Sequence, residues 1–157
     1  MELVVGVSFI LGLGVAGFLA YIFGRVRLLE TLPTSVAGET YPKVSIIIPV
    51  RNQVDTIAAC LDSVLALDYP DYEVIVVEGG STDGTREILE GYRGRIKILD
   101  EGRLPEGWVG KNWACHLGFK EASGDILLFT DGDTVHSRDS LRRAVSVLQR
   151  EDAGLLT

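Results

Sequence analysis

Apolar and polar positions fall into three regimes along the chain. From Leu3 to Gly24, 22 residues (LVVGVSFILGLGVAGFLAYIFG) carry no charge, and Arg25 and Arg27 close the run. A helix of that length, at 1.5 Å per residue, is about 33 Å long and crosses a hydrocarbon core of about 30 Å, so residues 3–24 are expected to be one transmembrane anchor helix. Residues 25–42 contain two prolines, a glycine and several hydroxyl side chains without periodicity, and are expected to be a linker.

Beyond residue 43 short β-branched runs alternate with stretches of helical spacing. Val44–Val50 and Tyr72–Val77 have the continuous apolar pattern of strands buried on both faces. Arg95–Leu99 and Ile126–Thr130 are two further expected strands, and Gly154–Thr157 looks like the start of a fifth. Between them, helices are expected from Ile57 to Leu67, from Thr85 to Glu90, over Lys111–Ala122 and over Ser137–Gln149. On the helix expected over Lys111–Ala122, Trp113 and Leu117 share the face turned to the core. Strands alternating with helices imply an α/β domain with a mostly parallel sheet covered on both faces.

Composition narrows the classes. The chain is 157 residues long, 46% hydrophobic and 24% charged, which excludes a disordered acidic tail and leaves room for one domain. A net charge of −7 lacks the positive field that holds nucleic-acid phosphates, so no nucleic-acid partner is expected. Cys60 and Cys115 have neither CxxC nor metal spacing and are expected to be buried or idle thiols. His116 sits mid-helix without a special signal, and His136 is expected to be an exposed loop residue.

The amino-terminal run has further features. Met1-Glu2 is an acidic start, unlike that of a cleavable signal peptide, which favours an uncleaved anchor. Arg25 and Arg27, directly after the span, place the remainder in the cytoplasm by the positive-inside rule, so the expected location is the cell membrane with a single N-terminal span. Ser8, Gly12, Ala16, Ala20 and Gly24 form a stripe of small residues that would admit a helix partner in lipid. Gly12-Leu13-Gly14-Val15-Ala16-Gly17 matches GxGxxG, but only seven residues follow before the next candidate strand, fewer than the dozen or so a parallel crossover needs. It is an accident of a glycine-rich span.

In a parallel sheet, ligands gather outside the carboxyl ends of strands. Those ends carry Pro49 to Asn52, Glu78 to Asp83 and Asp131 to Asp133. In extended backbone Asp131 and Asp133 would point to the same face, with Gly132 leaving room for a close ligand. Two such carboxylates repel unless a divalent cation joins them, and that cation can offer its other positions to phosphate oxygens. Asp131-Gly132-Asp133 is therefore a candidate metal–diphosphate site. Glu78 could accept hydrogen bonds from a ribose or base, Lys111 could pair with a phosphate, and Asp83 is expected to cap the helix that follows it.

Taken together, VSIIIPVRNQ, LDSVLALDYPDYEVIVVEGGSTDGT and GDILLFTDGDT, in that order and spacing over about Lys43–Leu156, resemble the family 2 glycosyltransferases of GT-A fold. The stretch Leu104–Ala114 (LPEGWVGKNWA) further resembles a membrane-associated branch with hopanoid-associated and carotenoid-type glycosyltransferases. The resemblance implies a Rossmann-like nucleotide-sugar-binding domain over residues 43–157, incomplete because the family continues further. It also implies a nucleotide diphosphate sugar as donor, Mg²⁺ or Mn²⁺ as cofactor, and a lipid-linked acceptor. Carried over residue by residue, Pro49, Val50, Asn52, Glu78, Lys111 and Asp131 bind the donor, and Asp131 and Asp133 hold the metal. Gln53 stands where glutamate is common, and Gly79 where a second aspartate is frequent. The family's catalytic base has no counterpart here and is expected beyond Thr157. A catalytically inactive nucleotide-sugar-binding module or assembly subunit is the alternative. A P-loop ATPase fails on spacing, since Gly110-Lys111 is preceded by Pro105 where the motif needs glycine and followed by Asn112 where it needs Ser or Thr.

Overall fold

The computed structural model describes residues 41–156. The expected span 3–24, its small-residue stripe and the linker up to residue 40 lie outside the described residues, as does Thr157. Among the described residues no helix is long and apolar enough to cross a membrane.

Eight elements alternate: β1 (Val44–Val50), α1 (Ile57–Leu65), β2 (Tyr72–Glu78), α2 (Thr85–Glu90), β3 (Lys97–Asp100), α3 (Gly110–Glu121), β4 (Ile126–Phe129) and α4 (Ser140–Arg150). All strand pairs are parallel and the order is β3-β2-β1-β4. The chain thus builds outward from β1 through β2 to β3, then crosses back to lay β4 on β1's other side. That reversal is the switch point at which open α/β sheets form a crevice.

β1 is the middle of the core because its β-branched side chains serve both faces. Val44, Ile46, Ile48 and Val50 pack with Val74 and Val76 against Ile57, Cys60, Leu61 and Val64 of α1, Leu89 of α2, and Leu141 and Val145 of α4. Ile75 and Val77 face the other way, against Ala114 and Leu117 of α3. Gly118 gives α3 its close approach to the sheet, since a Cβ there would collide with Ile47. Pro49 is tolerated in this central strand for a local reason. It falls past the last β1–β4 pair, Ile47 with Phe129, on the side of β1 that faces β4, and so removes no ladder bond.

At the amino end of the sheet Gly124 leads into β4. Its N–H donates to Ser45 Oγ at 2.8 Å, and the fully buried Ser45 hydroxyl donates to Glu73 Oε1 at 2.7 Å. A Cβ at position 124 would lie 2.6 Å from Ser45 N and 2.8 Å from Lys43 O.

Three expectations are corrected. β3 begins at Lys97 instead of Arg95, because a turn with Gly94 at φ +92° and Arg95 N–H donating to the Tyr92 carbonyl occupies the preceding residues. α4 begins at Ser140 instead of Ser137, whose carbonyl accepts from Ser140 N–H in a turn. Residues 154–156 join no strand; Leu155 and Leu156 are exposed beyond the end of α4.

Candidate functional site

Outside the carboxyl ends of the strands lies a cavity of about 330 Å³, within the range of small-ligand pockets. Each strand end supplies part of its wall: Pro49 and Val50 at the end of β1 with Arg51 and Gln53 after it, Gly79 after β2, Glu101 after β3, and Asp131 and Asp133 after β4. Gly110, Lys111 and Ala114 at the start of α3 complete it. Of the residues expected to bind the donor or metal, Pro49, Val50, Lys111, Asp131 and Asp133 are brought together here.

Asn52 and Glu78 do not line the cavity; they hold the loops that do. Asn52 adopts φ +52°, a left-handed conformation that asparagine tolerates better than most residues. Its N–H donates to Ser81 Oγ and its Oδ1 accepts from Thr82 N–H, both at 2.9 Å. Thr85 Oγ1 and Asp83 Oδ2 likewise accept from the N–H groups of Gln53 (2.8 Å) and Val54 (3.0 Å). The loops after β1 and β2 are thereby stitched together. Asp83 does not take the N-cap of α2, which is Gly84; from one residue further out its Oδ1 accepts from the Thr85 N–H at 3.0 Å.

Glu78 is buried. Its Oε1 accepts from Ser81 N–H at 2.6 Å and its Oε2 meets Arg86 at 3.2 Å, while Arg86 also pairs with Asp100 at the end of β3. Burial works against ionisation of Glu78, but hydrogen bonds from Ser81 and Gly80 and the Arg86 guanidinium outweigh it and hold the carboxyl below its ordinary value of 4.5. A carboxyl with a depressed folded value stabilises fully above its unfolded value and loses that contribution as pH falls through the folded one. The stability difference between wild type and Glu78→Gln should therefore be constant above about pH 5 and shrink on acidification below about pH 4.5. Denaturant titration of both proteins across that range checks it.

The Asp131-Gly132-Asp133 segment is a turn, with the Asp131 carbonyl accepting from Thr134 N–H at 3.2 Å. This corrects the expectation of continued extended backbone: the two carboxylates share a cavity because the chain bends there. Gly132 is buried beneath Gln53 and Ile57, and a Cβ would strike Gln53 Oε1. From below, the Cys60 thiol donates to the Asp131 carbonyl at 3.5 Å. Burial pushes that thiol up to about 11, opposed by the Thr134 N–H and reinforced by Asp133, so it stays protonated at neutral pH. Lys111 Nζ stands 2.6 Å from Asp131 Oδ1, and this hydrogen bond raises the lysine's value. Both partners are more than half exposed, so the pair contributes little to stability and is easily exchanged for a ligand.

Among the described residues no group of three or more His, Cys, Asp and Glu side chains gathers into a metal cluster. The donor set nevertheless suits a hard divalent cation that keeps several waters or phosphate oxygens. Two exposed carboxylates flank Gly132, and Gln53 Oε1, buried without a hydrogen-bond partner, lies against the same turn.

Arg51, Gln53 and Glu101 are wall residues that sequence reasoning had not assigned. Glu101 had a signal, since it is the first residue past β3 and obeys the same strand-end rule as the others. Trp113, expected in the core, instead donates its indole N–H to the Glu101 carbonyl at 3.1 Å and stacks on His116, with the half-exposed Trp108 against both rings. His136 is partly buried, its Nε2 2.9 Å from Thr130 Oγ1, and burial lowers its value.

The Glycosyl transferase family 2 model matches residues 45–157. Glycosyltransferase AglE of Haloferax volcanii is 39% identical over 114 residues, which cover 69% of this chain and 36% of AglE. The 4,4'-diaponeurosporenoate glycosyltransferase of Staphylococcus haemolyticus is 29% identical over 145 residues, covering 91% of this chain and 38% of that protein. Among solved structures, mannosyltransferase PcManGT from Pyrobaculum calidifontis, in complex with GDP-Man and Mn²⁺, superposes with a TM-score of 0.62 at 30% identity, over 83% of this chain and 39% of that one. The chain spans well under half the length of each of these relatives.

Proposed function

Because the chain belongs to glycosyl transferase family 2, we propose that it binds a nucleotide diphosphate sugar and acts in transfer of the sugar to a lipid-linked acceptor. The observation that carries this reading is the convergence of four strand-end loops on one cavity with Asp131, Asp133 and Lys111 on its β4 side. Asp131 and Asp133 would hold Mg²⁺ or Mn²⁺, which supplies charge neutralisation to the departing diphosphate. Lys111, released from Asp131, adds a cation to the same phosphates. Pro49 and Val50 line the nucleoside side, and Asn52 and Glu78 keep the two loops around it in place.

The lipid-linked acceptor and an anchor over residues 3–24, with the domain on the cytoplasmic side, form one consistent picture with the 22-residue uncharged run and its following arginines. The relative aligned over 91% of this chain is a 4,4'-diaponeurosporenoate glycosyltransferase, which supports this reading.

Calorimetric titration of the full chain with GDP-mannose and with a UDP-sugar, with Mn²⁺ or with chelator, tests the donor reading. Saturable binding of at least one donor that disappears with chelator is expected. Absence of binding for every donor, or binding indifferent to chelator, overturns it.

A further inference from the structure

We propose that Glu101 selects ribonucleotide over deoxyribonucleotide donors by accepting hydrogen bonds from the ribose hydroxyls. The inference rests on the donor reading above and adds a residue that this reading does not use.

Three observations place this carboxylate. Its backbone is pinned on both sides, the N–H donating to the Glu78 carbonyl at 2.8 Å and the C=O accepting from the Trp113 indole. Its side chain lies in a slot between two glycines, with Oε2 2.7 Å from where a Cβ would stand on Gly79 and Oε1 3.4 Å from that on Gly110. A side chain at position 79 would take the room the carboxylate uses. Among the described residues neither a hydrogen bond nor an ion pair engages its two oxygens, although they border the cavity. A carboxylate held in place yet unpaired in a pocket wall is an acceptor without its donor.

Sheet geometry indicates which part of a donor it meets. Neighbouring strands are about 4.8 Å apart, so the end of β3 lies about 14 Å from that of β4, three strands away. With the diphosphate at Asp131, Asp133 and Lys111, the Glu101 carboxylate enters the cavity from the β3 side, beside Gly79 at the end of β2 and so towards the nucleoside side. Phosphate oxygens would be repelled there, whereas vicinal hydroxyls offer two donors to one carboxylate, as ribose does to acids at strand ends in dinucleotide-binding folds.

The test compares uridine and guanosine diphosphates with their 2′-deoxy forms, each titrated with Mn²⁺ into the full chain and into Glu101→Gln and Glu101→Ala. Wild type is expected to favour the ribo form of the nucleotide it binds by about tenfold, the amount of one hydrogen bond to a charged group. Both variants should lose most of that ratio, chiefly through weaker ribonucleotide binding, with the 2′-deoxy affinity little changed. If ribo and deoxy forms weaken equally, Glu101 is only a structural wall and the inference falls while the donor reading stands. If wild type binds neither ribonucleotide, both fall together.

Discussion

Asp133→Ala should weaken Mn²⁺-dependent donor binding by at least about a hundredfold and lower any sugar transfer by about a thousandfold. Loss of a neighbour that merely orients a metal ligand already costs about 10- to 100-fold in metal affinity, and removing a ligand costs more. A metal that stabilises the charge of a departing diphosphate supplies several kcal/mol, and about 4 kcal/mol corresponds to three orders of magnitude in rate. Folding should be untouched, since Asp133 is exposed and its removal relieves repulsion from Asp131. Asp131→Ala should differ in one respect: it also frees Lys111, which is then available to a phosphate without competition. Calorimetry with and without Mn²⁺, alongside a thermal melt, separates loss of the site from loss of the fold. A donor affinity in Asp133→Ala equal to wild type would remove the metal role assigned to this turn.

Gly124→Ala should destabilise the domain by about 3 kcal/mol, the upper end of the range for overpacking a well-filled site. Its added methyl would meet backbone atoms of β1, Ser45 N at 2.6 Å and Lys43 O at 2.8 Å, and neither can step aside without shifting the central strand. The move would also stretch the Gly124 N–H to Ser45 Oγ bond and, through Ser45, the contact with Glu73. Glu73 is an ionised group there: burial opposes its charge, but Ser123, Ser45 and Lys43 together lower its value. A domain of this size should melt about 10 °C lower, and a denaturant midpoint shifted without change in slope would confirm lost stability rather than altered compactness. Gly118→Ala should be comparably destabilising, because its added methyl would strike Cγ2 of Ile47, a stiff β-branched side chain fully buried in the central strand.

Much of this architecture is legible in the residue pattern because the strands are buried on both sides. Val44–Val50 and Val74–Val77 are largely apolar, β-branched runs, and a central parallel strand is the element that buries both their faces. The carboxyl ends of β1 and β4 also mark the cavity in advance, through Pro49 and Val50 and through Asp131 and Asp133. Tertiary placement is what a linear pattern cannot carry. Glu78 shares its strand-end position with cavity residues, yet a single turn carries its carboxylate under the loop to Arg86 and Ser81. Trp113 has the spacing of a core residue, but its N–H finds its partner at the Glu101 carbonyl, so the ring sits by the cavity wall. Gln53 is marked in sequence only as a departure from a common glutamate; its place against Gly132 is a matter of tertiary packing. Gly154–Leu156 has a strand-like composition but, among the described residues, pairs with no strand.

The crossing from β3 back to β4 has a kinetic corollary. Lys43 and Asp125, which meet at the amino end of the β1–β4 pair, are 82 residues apart in the chain. Contacts of such separation are slow to form, because the entropy of closing the intervening loop must be lost before any pairing compensates it. β1, β2 and β3 can assemble before β4 is available, but the Asp131-Gly132-Asp133 turn then has no place to dock. The crevice is thus expected to form late in folding, and any nucleotide that binds only the finished crevice would draw the population toward the completed fold by mass action.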